Sequence, residues 1–285
     1  MEKQSIGIGL LKTNGVHYLE QLDLIKKTGF DSFFILWEEN VNMQVLCQKA
    51  QDLGLSFTSL HAPWDYAAHM WHGEDSLAQR GIRQLCRCID ACSRWQIPIM
   101  VVHAYMGFEP KPLEQRGIDR FEKVVAYAKE KGVQIAFENT EGEEFLFALM
   151  DRFANVAEVG FCWDTGHELC YNRSQDLLCR LGERLIYTHL NDNLGICDPE
   201  GQITWLDDLH LLPFDGVADW EGIARRLRNC NFRGALTFEM SLMSKPGRRE
   251  NDAYGWMPYE AYLKILYDRA SKVRSLINTQ ESTEK

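Results

Sequence analysis

The chain has 285 residues, 45% of them hydrophobic and 25% charged, with 31 Lys and Arg against 41 Asp and Glu for a formal charge of −10. This composition excludes a disordered chain, and the acidic balance disfavours binding to nucleic acid or to an anionic membrane surface. Nine cysteines without a Cys-x-x-Cys pair read as free thiols of a cytoplasmic protein, and no apolar run approaches the roughly 18 residues of a membrane span or resembles a signal peptide.

Along the chain, short β-rich runs alternate with helical periods. Strands are expected at 5–11, 32–37, 55–61, 97–104, 133–139, 159–164, 185–190 and 234–240. These runs are rich in Ile, Val, Phe and Leu and apolar on both faces, as in a buried parallel sheet. Helices are expected over 17–29, 43–54, 75–96 and 121–132, with Gly29, Gly54 and Gly132 as stops. Eight strand–helix units in this length give about 36 residues per unit, the size of a βα repeat in a (β/α)8 TIM barrel. No Pro-, Ser- or Gly-rich linker divides the chain, so residues 1–285 read as one α/β domain. The competing doubly wound sheet would want a glycine-rich phosphate turn after the first strand, and GIGLLKTNG does not supply it. Two connections, 61–76 and 189–219, are long for such a barrel and carry Trp64, Trp71 and Trp205.

Barrel enzymes place reactive groups at the carboxyl ends of their strands. Here the third to eighth strands end in His61, His103, Glu138, Asp164, His189 and Glu239, with His167, Asp208 and His210 following in the loops. Taken singly, each has an ordinary structural explanation as a helix cap or a core histidine. Converging on one face, the carboxylates need compensation, and a divalent cation supplies it. Aromatic side chains (Trp37, Trp64, Tyr66, Trp71, Tyr105, Phe108, Trp163 and Trp205) are expected around the same mouth, which suits a small polyol or keto-sugar.

The succession HAP (61–63), VVHA (101–104), FEN (137–139), WDTGH (163–167), THLND (188–192), DDLHLLPFDGVADW (207–220) and FE (238–239) resembles the xylose-isomerase-like barrel superfamily. That group includes sugar isomerases, ketose 3-epimerases, inosose dehydratases and isomerases, and zinc-dependent AP endonucleases. The resemblance implies a divalent ion, Mn²⁺ first and otherwise Mg²⁺, Co²⁺, Fe²⁺ or Zn²⁺, held by Glu138, Asp164, His189 and Glu239. It further implies that Glu138 and Glu239 act as base and acid beside a carbonyl, through a metal-stabilised enediolate. His167, Glu144, His61, His103, His210 and Trp64 would contact the substrate. In the endonuclease branch, His61, His103, His167, Asp208 and His210 would instead hold further metal ions.

The reaction so implied is the isomerisation or epimerisation of a sugar or polyol-derived keto compound. The alternatives are an inosose- or dehydroshikimate-type dehydratase, an endonuclease-like hydrolase and a silent sugar-binding barrel. The net charge, and a seventh loop without Lys or Arg, weigh against the hydrolase. Gly195 stands where ketose 3-epimerases carry an arginine, which sets the chain apart from that subgroup. The expected partner is a small carbohydrate, with neither nucleic acid nor membrane, and a homo-oligomer stays open. Lys245, Arg248 and Arg249, after the last strand, read either as an arm for an anionic substrate or as a solvated loop.

Overall fold

A computed structural model of the chain describes residues 4–10, 15–109 and 111–279. The elements run β1 (Ile6–Gly9), α1 (Tyr18–Thr28), β2 (Ser32–Leu36), α2 (Met43–Leu53), β3 (Ser56–His61), α3 (Ala67–Trp71), α4 (Asp75–Arg94), β4 (Ile99–His103) and α5 (Gln115–Lys131). They continue with β5 (Gln134–Glu138), α6 (Glu143–Arg152), β6 (Val159–Asp164), α7 (Thr165–Cys170), α8 (Leu178–Leu181) and β7 (Leu185–His189). α9 (Trp220–Asn229), β8 (Leu236–Phe238), α10 (Asp252–Gly255) and α11 (Tyr259–Asn278) complete the order.

All neighbouring strand pairs are parallel, in the order β7-β6-β5-β4-β3-β2-β1-β8. A bridge between Leu190 and Phe238 joins the two ends, and the Leu190 N–H donates to Thr237 O at 2.8 Å. The sheet thereby closes into a single (β/α)8 barrel, as the alternation of strands and helices requires. The last strand is shorter than expected, so Glu239 lies one residue beyond it. The first is Ile6–Gly9, and the expected Leu11 lies outside the described residues. α5 starts earlier than expected because its buried stripe of Ile118, Phe121, Val124, Val125 and Ala128 continues back to Gly117.

Successive strand side chains point to opposite faces, and this divides the core in two. Outward residues such as Phe33, Ile35, Leu60, Val102, Phe137, Phe161 and Trp163 pack under the helices, while Ile99, Val101, Ala136, Cys162 and Tyr187 form a separate cluster. The inner space is narrow. A Cβ on Gly9 would stand 2.7 Å from the Phe34 ring, so the glycine leaves room for Phe34 to stack on His189 at 4.7 Å between centroids. The nine cysteines are free, and Cys88 and Cys92 are buried on α4. No helix among the described residues is long and apolar enough to cross a membrane.

The connection after β3 is pinned by Trp71, which is fully buried and donates its indole N–H to Ala104 O at 2.7 Å. Gly117 on α5 makes that seat: a Cβ there would come within 2.1 Å of the Trp71 ring. Gly117→Ala is therefore expected to destabilise the protein by about 1–3 kcal/mol through overpacking. A calorimetric melting temperature equal to that of the parent would show that the Trp71 pocket is not tight.

Candidate active site

The strand alternation that fills the barrel interior also builds the site. Two residues beyond the inward Ser59, Val101, Ala136, Cys162, Tyr187 and Thr237 stand His61, His103, Glu138, Asp164, His189 and Glu239. Parallel register sets His103 beside Glu138 and Asp164 beside His189. The six form the top layer of the barrel.

Glu138 sits at the centre with no exposure. Its Oε1 lies 2.8 Å from His189 Nδ1, and its Oε2 lies 3.0 Å from His61 Nε2 and 3.3 Å from His103 Nε2. His189 Nδ1 is also 3.0 Å from Glu239 Oε2, and the Glu239 side chain keeps 24% exposure. Asp164 caps α7 by accepting the His167 N–H at 2.7 Å, while its other oxygen accepts from Asn191 Nδ2 at 2.9 Å. Cap and candidate ligand are thus one residue. Asn139 fixes the Asp164 backbone from both sides, accepting its N–H and donating to its carbonyl. On the other flank, His210 Nε2 lies 3.0 Å and His167 Nε2 3.5 Å from the Asp208 carboxylate.

Three imidazoles share one arrangement. His61, His167 and His210 place Nδ1 at 2.8, 2.9 and 3.2 Å from the carbonyls of Ala62, Asn139 and Glu239. A carbonyl only accepts, so Nδ1 carries the hydrogen, and a neutral ring then aims the Nε2 lone pair at a carboxylate. That contact is repulsive unless a proton or a cation lies between. Histidines that donate one nitrogen to a backbone carbonyl and present the other are the usual ligands of a metal ion.

The charge balance is correspondingly extreme. Burial opposes ionisation of Glu138, yet His189, His103 and His61 outweigh it and hold the carboxyl well below its usual range. Burial and the neighbouring Glu138 and Glu239 push Asp164 up to about 6. Burial also works against a charged His210, but Asp208 lifts it to about 9. His103 Nδ1 and Asp208 Oδ1 are buried without a hydrogen-bond partner. Donor atoms in the sets Glu138–Asp164–His189–Glu239, His61–His103–Glu138 and His167–Asp208–His210 each lie within 4.8 Å of one another. Oxygen and imidazole donors of this kind fit divalent cations such as Mn²⁺, Fe²⁺, Co²⁺ or Zn²⁺.

The long connection after β7 is ordered by two aspartates. Asp192 accepts from the N–H groups of Asn193, Phe214 and Ala218 and from the Trp220 indole, all at 2.8–2.9 Å. Asp207 accepts from the N–H groups of Cys197 and Thr204 at 3.0 and 2.8 Å. Between these anchors the chain delivers Asp208 and His210, the latter with φ of 47°, in the left-handed region. Above the layer lies a cavity of about 430 Å³ lined by His61, Trp64, His103, Met106, Thr140, Glu141, His167, Tyr171, Trp205, Asp208, His210, Glu239 and Lys245. The volume is within the roughly 300–1,000 Å³ range of small-molecule sites.

Several expectations change. Glu138 does not line the cavity, because His61, His103 and His189 occupy both its oxygens; of the two glutamates only Glu239 is accessible. Glu144 is carried on the first turn of α6, outside the cavity wall. From this segment it is Glu141 that lines the wall; it accepts the Gly107 N–H at 2.7 Å, and burial pushes it up in pKa. Trp37, Trp71, Tyr105 and Trp163 belong to the outer core, and Phe108 and Tyr66 stand outside this cavity. Trp64, which stacks on His103 at 5.3 Å between centroids, and Trp205 remain, joined by Tyr171 on His167. Of the basic cluster Lys245 faces the cavity, Arg248 pairs with Glu250, and Arg249 is exposed. Gly195 forms a left-handed turn with φ of 75°, its N–H donating to Asn193 Oδ1 at 2.9 Å.

Residues 22–266 match the sequence profile of the family described as xylose isomerase-like TIM barrel. The chain is 30% identical over 259 residues to the uncharacterized protein y4fM of Sinorhizobium fredii, covering 76% of this chain and 79% of the relative. Among solved structures it resembles a xylose isomerase domain protein from Planctomyces limnophilus, with a TM-score of 0.73 and 15% identity over 96% of this chain and 99% of the other. A 3-keto-D-glucoside 4-epimerase, YcjR, from E. coli gives a TM-score of 0.71 and 18% identity over 96% and 100% of the chains. D-psicose 3-epimerase from Clostridium cellulolyticum, solved with D-tagatose, gives 0.71 and 13% over 96% and 99%. At these identities the structural likeness establishes the fold.

The Asp192 anchor is open to test. In Asp192→Asn one oxygen becomes an NH₂ group facing N–H donors, which is expected to destabilise the protein by about 3 kcal/mol. Limited proteolysis should then cut within residues 193–218 well before the barrel strands. An Asp192→Asn protein with unchanged stability and the same cleavage pattern would remove the aspartate from its organising role.

Proposed function

The chain belongs to the xylose isomerase-like TIM barrel family, and from that premise we propose that it is a divalent-metal-dependent isomerase or epimerase of a small polyhydroxylated carbonyl compound. The observation that carries this reading is the buried set of Glu138, Asp164, His189 and Glu239, which opens onto an aromatic-walled cavity through Glu239. The E. coli and Clostridium neighbours are named as epimerases of a keto-glucoside and a ketose, and the cavity's rings and polar groups suit that substrate class.

Glu138, Asp164, His189 and Glu239 would hold the ion. When bound, it would polarise the substrate carbonyl and offset negative charge developing there. Glu239 is the one member exposed to the cavity, and it takes the proton from the carbon beside the carbonyl. Burial opposes its ionisation, yet His189 and His210 keep its carboxyl charged, with a pKa down to about 2. From another wall, Glu141 is biased by burial toward keeping its proton and returns one to the substrate. Two carboxyl groups whose surroundings push their pKa values apart divide acid and base work between them. His167 is held by Asn139 and stacked by Tyr171, and it positions a substrate oxygen. Trp64, Tyr171 and Trp205 cover the C–H faces of the sugar and exclude water. The turn at Gly195 offers no arginine, which separates the chain from ketose 3-epimerases of the usual pattern.

A second reading has one specific observation in its favour. His61 and His103 flank Glu138 on one side, and His167, Asp208 and His210 form a set on the other, so the donors suffice for more than one ion. Such a centre fits hydrolysis of a phosphate ester. The net charge of −10, and a single lysine among the described residues of the cavity wall, weigh against a nucleic-acid substrate.

Incubation in D₂O with a panel of ketoses, inososes and their phosphate esters, followed by mass analysis, tests the proposal. One compound should take up deuterium at a single carbon beside its carbonyl. Glu239→Gln, compared at matched metal content, should slow that exchange by about a hundredfold or more. Exchange in Glu239→Gln at the parent rate would remove the proposed base. Cleavage of a phosphodiester probe without any deuterium uptake would favour the hydrolytic reading instead.

A further inference from the structure

The cavity wall is lined by carboxylates, histidines and aromatic rings, and one lysine reaches it. Lys245, in the loop after β8, is the only Lys or Arg among the described residues that line the cavity. Its side chain is 22% exposed, its ammonium stands 5.4 Å from the centre of the Trp205 ring, and its contact with Asp208 Oδ2 is 3.4 Å. Asp208 is already shared between His210 at 3.0 Å and His167 at 3.5 Å. The contact between Lys245 and Asp208 is thus a long one on an oxygen that His210 approaches more closely. The indole face covers one side of the ammonium and helps to hold it at the cavity wall.

The lysine is held in place by a clasp between the loops after β7 and β8. Arg248 pairs with Glu250 at 2.7 Å and reaches across to Cys197 Sγ at 2.8 Å in the loop after β7. Ser244 donates to Asp252 and accepts the Asn251 N–H, and the Ser241 N–H donates to His210 O at 3.0 Å. These bonds fix the residues on both sides of Lys245. A solvated arm would not need such a seat. Pro246 and Gly247, the latter with φ of 78°, form the loop tip, and Arg249 beyond it is the exposed member of the cluster.

We propose that Lys245 is the recognition cation for an anionic substituent, a phosphate or a carboxylate, carried by the substrate of this cavity. The inference rests on the reading of the cavity as a carbohydrate site and narrows its substrate class to sugar phosphates or sugar acids. Among the described residues of the wall Lys245 is the one lysine or arginine, so it is the fixed cation that an anionic substituent would meet there.

The test is calorimetric titration of the protein as purified with inorganic phosphate, and with acetate in parallel, after matching the metal content of every variant. The parent should bind phosphate saturably. Lys245→Met should weaken that binding by about tenfold or more, equivalent to about 1.4 kcal/mol. Lys245→Arg should retain most of it, and Arg249→Ala should leave it unchanged. Acetate binding with the same dependence would assign the site to carboxylates as well as phosphates. Absence of saturable binding by the parent, an unchanged affinity in Lys245→Met, or an equal loss in Arg249→Ala would each overturn the proposal. The titration reads binding alone, so a failure of the isomerase reading would appear in the deuterium exchange and leave this result standing.

Discussion

A fully buried carboxylate cannot stay ionised without partners, and Glu138 meets that condition by placing three imidazoles on its two oxygens. The rest of the upper barrel follows from it. Each of those histidines ends a strand, so their positions are set by the sheet register rather than by flexible loops. Asn139, Asn191 and Thr165 then fix Asp164 and the start of α7 around the same centre. Removing one partner would leave a charge with no water to receive it, which is why the cluster behaves as a unit.

Strand ends supply most of the candidate ligand atoms, and anchored loops supply much of the cavity wall. Asp192 and Asp207 convert a long connection into a fixed wall by satisfying its backbone donors from within. Trp71 pins the connection after β3 in another way, by donating its indole N–H to the Ala104 carbonyl just past β4. The contrast in exposure between Glu138 and Glu239 comes from this layering: one sits inside the strand layer, the other just above the short β8. In the proposed reaction the buried Glu138 thus only holds the ion, while Glu239, nearer the cavity, both holds it and moves the proton.

The strand ends are readable in the sequence because inward positions recur every second residue, and β3 to β7 each end in, and β8 is followed by, a histidine or a carboxylate. The same parity explains why Trp163 is structural: it stands one residue before the inward Asp164 and so faces the helices. Glu141 is not readable in this way. Three glutamates, Glu141, Glu143 and Glu144, fall within one turn, and the left-handed Gly142 between them decides which one meets the cavity. The basic cluster has the same character, since only the clasp through Arg248 distinguishes Lys245 from Arg249. Periodic elements carry their orientation in the sequence; loops acquire it from long-range bonds.

Elemental analysis combined with calorimetric melting, before and after dialysis against a chelator, tests most directly whether the strand-end cluster is a metal centre whose charge holds the upper barrel together. Bound divalent metal, a melting temperature that falls when the metal is removed and recovers when it is restored, and loss of both effects in Glu138→Gln are the expected results. A folded parent protein that holds no divalent metal when saturated with it, and melts at the same temperature with and without chelator, would contradict the account.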